Sequence, residues 1–249
     1  MAAEQIEFIH PVWPVAGAVS ALVTTRSGGC SDEPYTSLNL ATHVGDEPGQ
    51  VRLNRQRLVS ALNILHEPVW LNQVHGNRIY DVKSDSFGVL PEADACYTRE
   101  PGLALAIMVA DCLPILLSST SGKEIAAVHA GWRGLAGGII RRVVEHFESD
   151  SDSMVAWLGP AIGPCHYEVD ALVKDEFNTS AAFTNTGKED RWMMDLRAEA
   201  SQQLFDAGVK QVFGEALCTF CENKFYSYRR DGRTGRFAAL IWLKNRECD

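Results

Sequence analysis

Ala126-Ala-Val-His-Ala-Gly-Trp-Arg-Gly-Leu135 (AAVHAGWRGL) runs from an apolar segment through a glycine-flanked turn into a helical pattern. Ile125 to His129 is short and apolar, and Gly131 ends it, so it reads as a buried strand. Beyond Trp132, residues Leu135, Ile139, Val143 and Phe147 recur every four positions while Arg141, Arg142 and Glu145 take the opposite face. That spacing predicts one amphipathic helix. A histidine at the join between strand and turn is either a packed residue or the mark of a site, and what else reaches the same place decides between them.

Working outward, the same reading gives strands at Ala18–Thr25, Leu103–Val109, Pro114–Leu117, Met154–Leu158 and Phe237–Leu243. Gln50–Leu62 reads as a helix with Val51, Leu58, Val59 and Leu62 on one face. Asp195 is a candidate N-cap for a second, carrying Leu196, Ala200 and Leu204 on its buried stripe. Pro68–Val74 and Arg78–Val82 are strand-like with Gly76-Asn77 between them, which predicts a hairpin. Strands and helices mix without regular alternation, so the expected fold is α+β (mixed α/β) with mixed sheets, not a doubly wound one. No low-complexity run, linker or repeat divides residues 1–249, and a single domain is expected.

The chain has 249 residues, 46% hydrophobic and 22% charged, which suits a globular protein with a sizeable core. A net charge of −9 argues against a nucleic-acid partner, which would need clustered positive charge, but leaves room for one small phosphorylated ligand. MAAEQIEFIHPVWP has no basic region leading into an apolar core, and the apolar run Gly102–Leu117 is broken by Asp111 and Pro114. Neither a membrane span nor export is expected. Seven cysteines without disulfide-like spacing point to a reduced, cytoplasmic protein. Nothing in the pattern specifies an assembly.

Three segments share one design, a short apolar strand ending in a metal-ligating residue next to Gly or Pro: His75 in WLNQVHG, Cys112 in VADCLP and His129 in AAVHAG. Two imidazoles and a thiolate suit Zn²⁺, with copper as the other occupant, and three ligands leave one tetrahedral position open. The spacings of 37 and 17 residues match no compact finger, and each residue taken alone reads more readily as a buried or hydrogen-bonded side chain than as a ligand; their matching contexts bring the two readings level. Arg133 sits at the start of the expected helix, where free backbone N–H groups favour an anion, and Trp132 offers a face for a planar base. Asp111, beside Cys112, is a candidate proton carrier or an ordinary turn carboxylate. His166 follows Gly163-Pro164-Cys165 in a loop, and the Cys218-x-x-Cys221 pair lacks the second half of a zinc ribbon and reads as incidental.

Taken together, SLNLATHVGD, WLNQVHG, ADACYT, MVADCLPILL, AAVHAGWRGL, WLGPAIGPCHYEV and FYSYRRDGRTGRFAALIWL resemble the YfiH-like laccase-domain family, whose members are also called purine nucleoside phosphorylases or polyphenol oxidases. The resemblance runs from about Trp13 to Leu243. It implies a four-layered domain with mixed sheets between helices, and one zinc on His75, Cys112 and His129. The implied substrates are small molecules: phosphorolysis of adenosine, inosine and S-methyl-5′-thioadenosine, with adenosine deamination as a second reaction. By the same resemblance Asn39, His43 and Arg55 line or border the pocket. A laccase reading would need a histidine-rich trinuclear copper cluster, and seven histidines with no His-x-His pair do not supply one. Two other readings stay open: a hydrolase editing a peptidoglycan precursor with Cys112 as nucleophile, and a binding protein whose zinc is closed by His43 or Cys165.

Overall fold

The computed structural model describes residues 5–15, 17–178 and 181–245. In chain order its strands are β1 (Phe8–Ile9), β2 (Val19–Thr24), β3 (Ile79–Asp81), β4 (Ala95–Thr98), β5 (Ala104–Val109), β6 (Leu113–Ser119), β7 (Ile125–Ala130), β8 (Met154–Leu158), β9 (Glu168–Asp170), β10 (Phe183–Asn185), β11 (Arg191–Met194), β12 (Gln211–Phe213) and β13 (Phe237–Leu243). The helices are α1 (Pro48–Leu62), α2 (Trp132–Ala136), α3 (Ile139–His146), α4 (Ala171–Lys174), α5 (Leu196–Asp206) and α6 (Tyr228–Asp231).

A four-stranded antiparallel sheet in the order β1-β2-β13-β5 faces a six-stranded mixed sheet in the order β12-β8-β6-β7-β4-β3, and a small sheet β10-β11-β9 flanks them. In the larger sheet β12–β8 and β3–β4 are parallel pairs and the rest are antiparallel. Alternation along each strand assigns its residues to layers. On β5, Leu105 and Ile107 point between the sheets, while Ala106 and Met108 meet Leu58 of α1 on the outer side. On β6, Leu116 joins that inter-sheet core, and Ile115 and Leu117 turn to the side carrying Ile139 and Val143 of α3 and Leu204 of α5. The order is therefore helix, sheet, sheet, helix. Both faces of the central strands are covered, which is why their sequences are continuous apolar runs and not alternating ones. Each Leu or Ile buried there stabilises the fold by roughly 1.5–3 kcal/mol.

Two expected elements differ. The helix after Trp132 is two helices, because Gly138 takes φ of 73°, a left-handed conformation that ends α2 and starts α3 at a new angle. The expected hairpin is absent: Val69 bridges to Leu105 in the smaller of the two stacked sheets, whereas β3 pairs in parallel with β4 in the larger. The residues between them give their backbone N–H groups to a side chain, as described below. The expected cap holds, with Asp195 accepting from the N–H groups of Arg197 and Ala198. Among the described residues no helix is long and apolar enough to cross a membrane.

Candidate metal centre

β6 and β7 are antiparallel neighbours, with Leu113 opposite Ala130 and Pro114 opposite His129. Cys112, just before β6, therefore lies beside His129, near the end of β7, where the two central strands of the six-stranded sheet end. His75 arrives from the loop before β3, two strands away. The structure brings all three together, their ligand atoms within 4.8 Å of one another, and the group can hold a metal ion. The two imidazole centroids are 4.7 Å apart and nearly edge to face. Among the described residues no fourth His, Cys, Asp or Glu joins them.

The close approach depends on Gly131. A Cβ there would sit 3.0 Å from the Cys112 sulfur and 3.4 Å from Cδ2 of His75. The strongest organiser is Asp94, fully buried at the start of β4. Its Oδ1 takes Nδ1 of His129 at 2.7 Å and the N–H of His75 at 2.9 Å. Its Oδ2 accepts from the N–H groups of Gly76 at 2.6 Å and Val74 at 3.2 Å. One carboxylate thus fixes the loop that carries His75, holds that residue at φ of 61°, and commits Nδ1 of His129 so that Nε2 faces the cysteine. These bonds also use up the N–H groups that a hairpin would have needed.

Burial alone would raise the Asp94 carboxyl, but the hydrogen bond and charge of His129 and the N–H groups of Gly76 and His75 outweigh it and hold it below the ordinary carboxylate range. Burial likewise works against ionising Cys112, yet His129 and His75 draw its thiol down to about 6, and the thiolate in turn raises His129. The metal-free pair is thus a thiolate beside an imidazolium, and a metal that binds there displaces the imidazolium proton.

The triad forms the floor of a cavity of about 400 Å³. Trp132, Tyr167, Tyr228, Ile162 and Leu196 give it apolar walls, and Arg133, Arg229, Arg236 and His43 line it as well. Three guanidinium groups around one pocket stand out in a chain of net charge −9. Partial burial, then the charges of Arg236, Arg55 and His75, lower the His43 imidazole.

A family model described as "Multi-copper polyphenol oxidoreductase laccase" matches residues 20–244. Curated relatives include the "Purine nucleoside phosphorylase YfiH" of Shigella flexneri, 46% identical over 95% of this chain and 99% of its own length, and a Pseudomonas aeruginosa purine nucleoside phosphorylase, 45% identical over 96% and 99%. The chain belongs to the YfiH-like laccase-domain family. Solved members superpose over nearly the whole chain: a Neisseria meningitidis protein at TM-score 0.90 and 41% identity, covering 96% of this chain and 99% of that one, and YlmD from Geobacillus stearothermophilus at TM-score 0.87 and 34% identity, covering 98% and 99%.

Several expectations from the sequence and from the resemblance change with the geometry. Asn39 is buried behind the pocket: its amide donates to Ala41 O and Asp46, and its Oδ1 accepts from the N–H groups of Ala41 and Arg236. It positions Arg236 and does not line the cavity. Arg55 also lies outside, donating to Leu40 O, pairing with Glu67 and stacking 4.2 Å over Trp70. Arg133 lines the pocket, but α2 spans five residues, too few for the N-terminal anion site read from the sequence; the guanidinium lies 4.4 Å over Trp132. Asp111 also lines the pocket, and its carboxylate accepts from Thr219 Oγ1 and the N–H of Arg229, both at 2.6 Å. Asp94 escaped the sequence reading, although it is the one charge in the apolar run Ala93–Cys96, and Arg229 and Arg236, two of a carboxyl-end arginine cluster whose spacing reads more readily as a solvated face, line the pocket. The Cys218-x-x-Cys221 pair is not isolated: Cys165 and His166 fold against it as a second group able to hold a metal.

Proposed function

We propose that the chain is a zinc-dependent purine nucleoside phosphorylase acting on adenosine, inosine and S-methyl-5′-thioadenosine, with adenosine deamination as a side reaction. One observation carries the reading: a single cavity combines the His75–Cys112–His129 ligand set with three arginines and three aromatic walls. The names of the relatives at 45–46% identity support it. Two imidazoles and a thiolate without a fourth protein ligand suit zinc with an open position. Bound there, zinc supplies Lewis acidity.

In phosphorolysis a phosphate oxygen forms a bond to C1′ of the ribose, the C1′–N bond breaks, and the purine leaves with the electron pair and gains a proton. Arg133, Arg229 and Arg236 hold and orient the phosphate, which removes the entropic cost of bringing two ligands together. They also offset charge as it redistributes. Trp132, Tyr167 and Tyr228 present ring faces for the base. His43, held neutral, offers an N–H at the same pocket. The test is product analysis with inosine: hypoxanthine release should require phosphate, and Arg236→Gln should raise the KM for phosphate at least tenfold. Base release at the same rate without phosphate would overturn the reading.

The lowered Cys112 thiol favours one second reading, a hydrolase that uses Cys112 as nucleophile with His75 or His129 as base on an acylated peptidoglycan precursor. A covalent adduct on Cys112 in metal-free protein would support it; strict zinc dependence of all turnover would oppose it.

A further inference from the structure

Two loops on the side of the pocket away from β7 meet at a second cluster. Cys165 and His166 follow the Gly163-Pro164 turn, and Cys218 and Cys221 lie on the segment leading to α6. The loops are joined by a parallel bridge between Ala161 and Cys218, with the Ala161 N–H donating to Leu217 O at 3.2 Å and the Thr219 N–H donating to Ala161 O at 3.0 Å. This backbone pairing brings together side chains more than fifty positions apart in sequence. The Cys165 sulfur lies 3.7 Å from Cys218 Sγ and 3.7 Å from Cys221 Sγ. Nδ1 of His166 lies 3.2 Å from Cys165 Sγ and 3.4 Å from Cys221 Sγ. All four ligand atoms fall within 4.8 Å of one another.

We propose that Cys165, His166, Cys218 and Cys221 form a closed Cys₃His zinc site that clamps these two loops. The argument is independent of the phosphorylase reading. Zn–S bonds of about 2.3 Å and Zn–N bonds of about 2.0–2.1 Å put the edges of a regular tetrahedron at about 3.8 Å for S···S and about 3.5 Å for S···N. The four close distances match those edges to within a few tenths of an ångström. They do not match a disulfide, whose sulfurs lie about 2.05 Å apart, and the three cysteines are free thiols.

The surroundings suit a bound cation. The N–H of Gly163 donates to Cys218 Sγ at 3.2 Å, a bond that stabilises a thiolate. A Cβ at Gly163 would lie 3.3 Å from both Cys165 Sγ and Cys218 Sγ, so glycine permits the approach. The His166 ring stacks on Phe220 with centroids 3.9 Å apart and planes 14° from parallel, which fixes the imidazole orientation. Four protein ligands leave no open position, so the role is structural. What the clamp holds is one wall of the pocket: Ile162 and Tyr167 flank its first loop, and Thr219, on the second, bonds the carboxylate of Asp111 next to Cys112.

The experiment is metal counting on the intact protein purified under reducing conditions and reconstituted with zinc, followed by cobalt substitution. The wild type should bind two equivalents. Cys221→Ser and Cys218→Ser should each bind one, and Cys112→Ala should bind one while keeping the intense sulfur-to-cobalt absorption of the three-thiolate site. Absence of three-thiolate cobalt absorption from both the wild type and Cys112→Ala, full wild-type metal content retained in Cys165→Ser/Cys218→Ser, or a disulfide among these cysteines in the reduced, zinc-loaded protein would each overturn the proposal. The wild-type cobalt spectrum decides the matter even if a variant fails to fold.

Discussion

Replacing Asp94 with asparagine tests the organisation of the centre at a residue that is not itself a ligand. The aspartate accepts four hydrogen bonds, two on each oxygen. Asparagine keeps one acceptor oxygen and turns the other into a donor. If the NH₂ replaces Oδ2, it confronts the N–H groups of Val74 and Gly76, and the His75 loop loses its anchor. If it replaces Oδ1, it confronts the N–H of His75 and Nδ1–H of His129, and the imidazole must move its proton to Nε2, the nitrogen that faces Cys112. Either way two bonds to an ionised acceptor are lost, at roughly 1.5–3 kcal/mol each. Together about 3–6 kcal/mol, that is a large share of a typical total stability of about 5–15 kcal/mol, so the Tm should be clearly lower. Loss of the partner that orients a ligating histidine typically weakens metal binding about 10–100-fold, or about 1.4–2.7 kcal/mol. The assay is zinc competition against a chromophoric chelator, read beside a thermal melt of the metal-free form. Wild-type zinc affinity at this centre in Asp94→Asn would refute the reasoning, whatever the melt shows.

Three further expectations follow from the geometry. Gly131→Ala should displace Cys112 or His75 by more than the ±0.2 Å a metal site tolerates, so zinc affinity at this centre should fall at least tenfold, measured by the same competition. Gly138→Ala meets no atom within 4 Å but must hold φ of 73°, so it should cost about 1–2 kcal/mol by denaturant titration, and Gly138→Asn less. Burial works to raise the Glu124 carboxyl, but Ser149, Tyr97 and the N–H groups of Glu148 and Ser149 outweigh it and hold it below the ordinary range. Its contribution is therefore complete above the unfolded pKa of about 4.3 and is lost as pH falls through the folded value. Glu124→Gln should accordingly melt below wild type at pH 7, and the gap should close as the pH drops below about 4.

What could be read from the sequence was what depends on near neighbours. β5, β6, β7 and β13 announce themselves as unbroken apolar runs because both of their faces are covered. Asp195 signals its helix because the cap and the N–H groups it satisfies lie two and three residues apart. The triad was legible because each ligand lies within two residues of a Gly or Pro that stops regular structure, although only His129 sits on a strand. The break at Gly137-Gly138 carried a local signal, two adjacent glycines, that the apolar spacing on either side concealed. The hairpin failed for a long-range reason: Asp94, some twenty residues away, takes the N–H groups that strand pairing would have used. Arg236 and Arg229 reach the pocket only through tertiary packing. Cys165 and His166 meet Cys218 and Cys221 only through the Ala161–Cys218 bridge, which no local spacing encodes.

The central claim is that the His75–Cys112–His129 centre carries phosphate-dependent cleavage of purine nucleosides. The most direct measurement is turnover of inosine with phosphate by zinc-loaded wild type and Cys112→Ala, with ribose 1-phosphate quantified alongside metal content. The account predicts equal amounts of hypoxanthine and ribose 1-phosphate from wild type, and loss of both products together with one zinc equivalent in Cys112→Ala, which remains folded. Undiminished ribose 1-phosphate formation by Cys112→Ala lacking that zinc would contradict it.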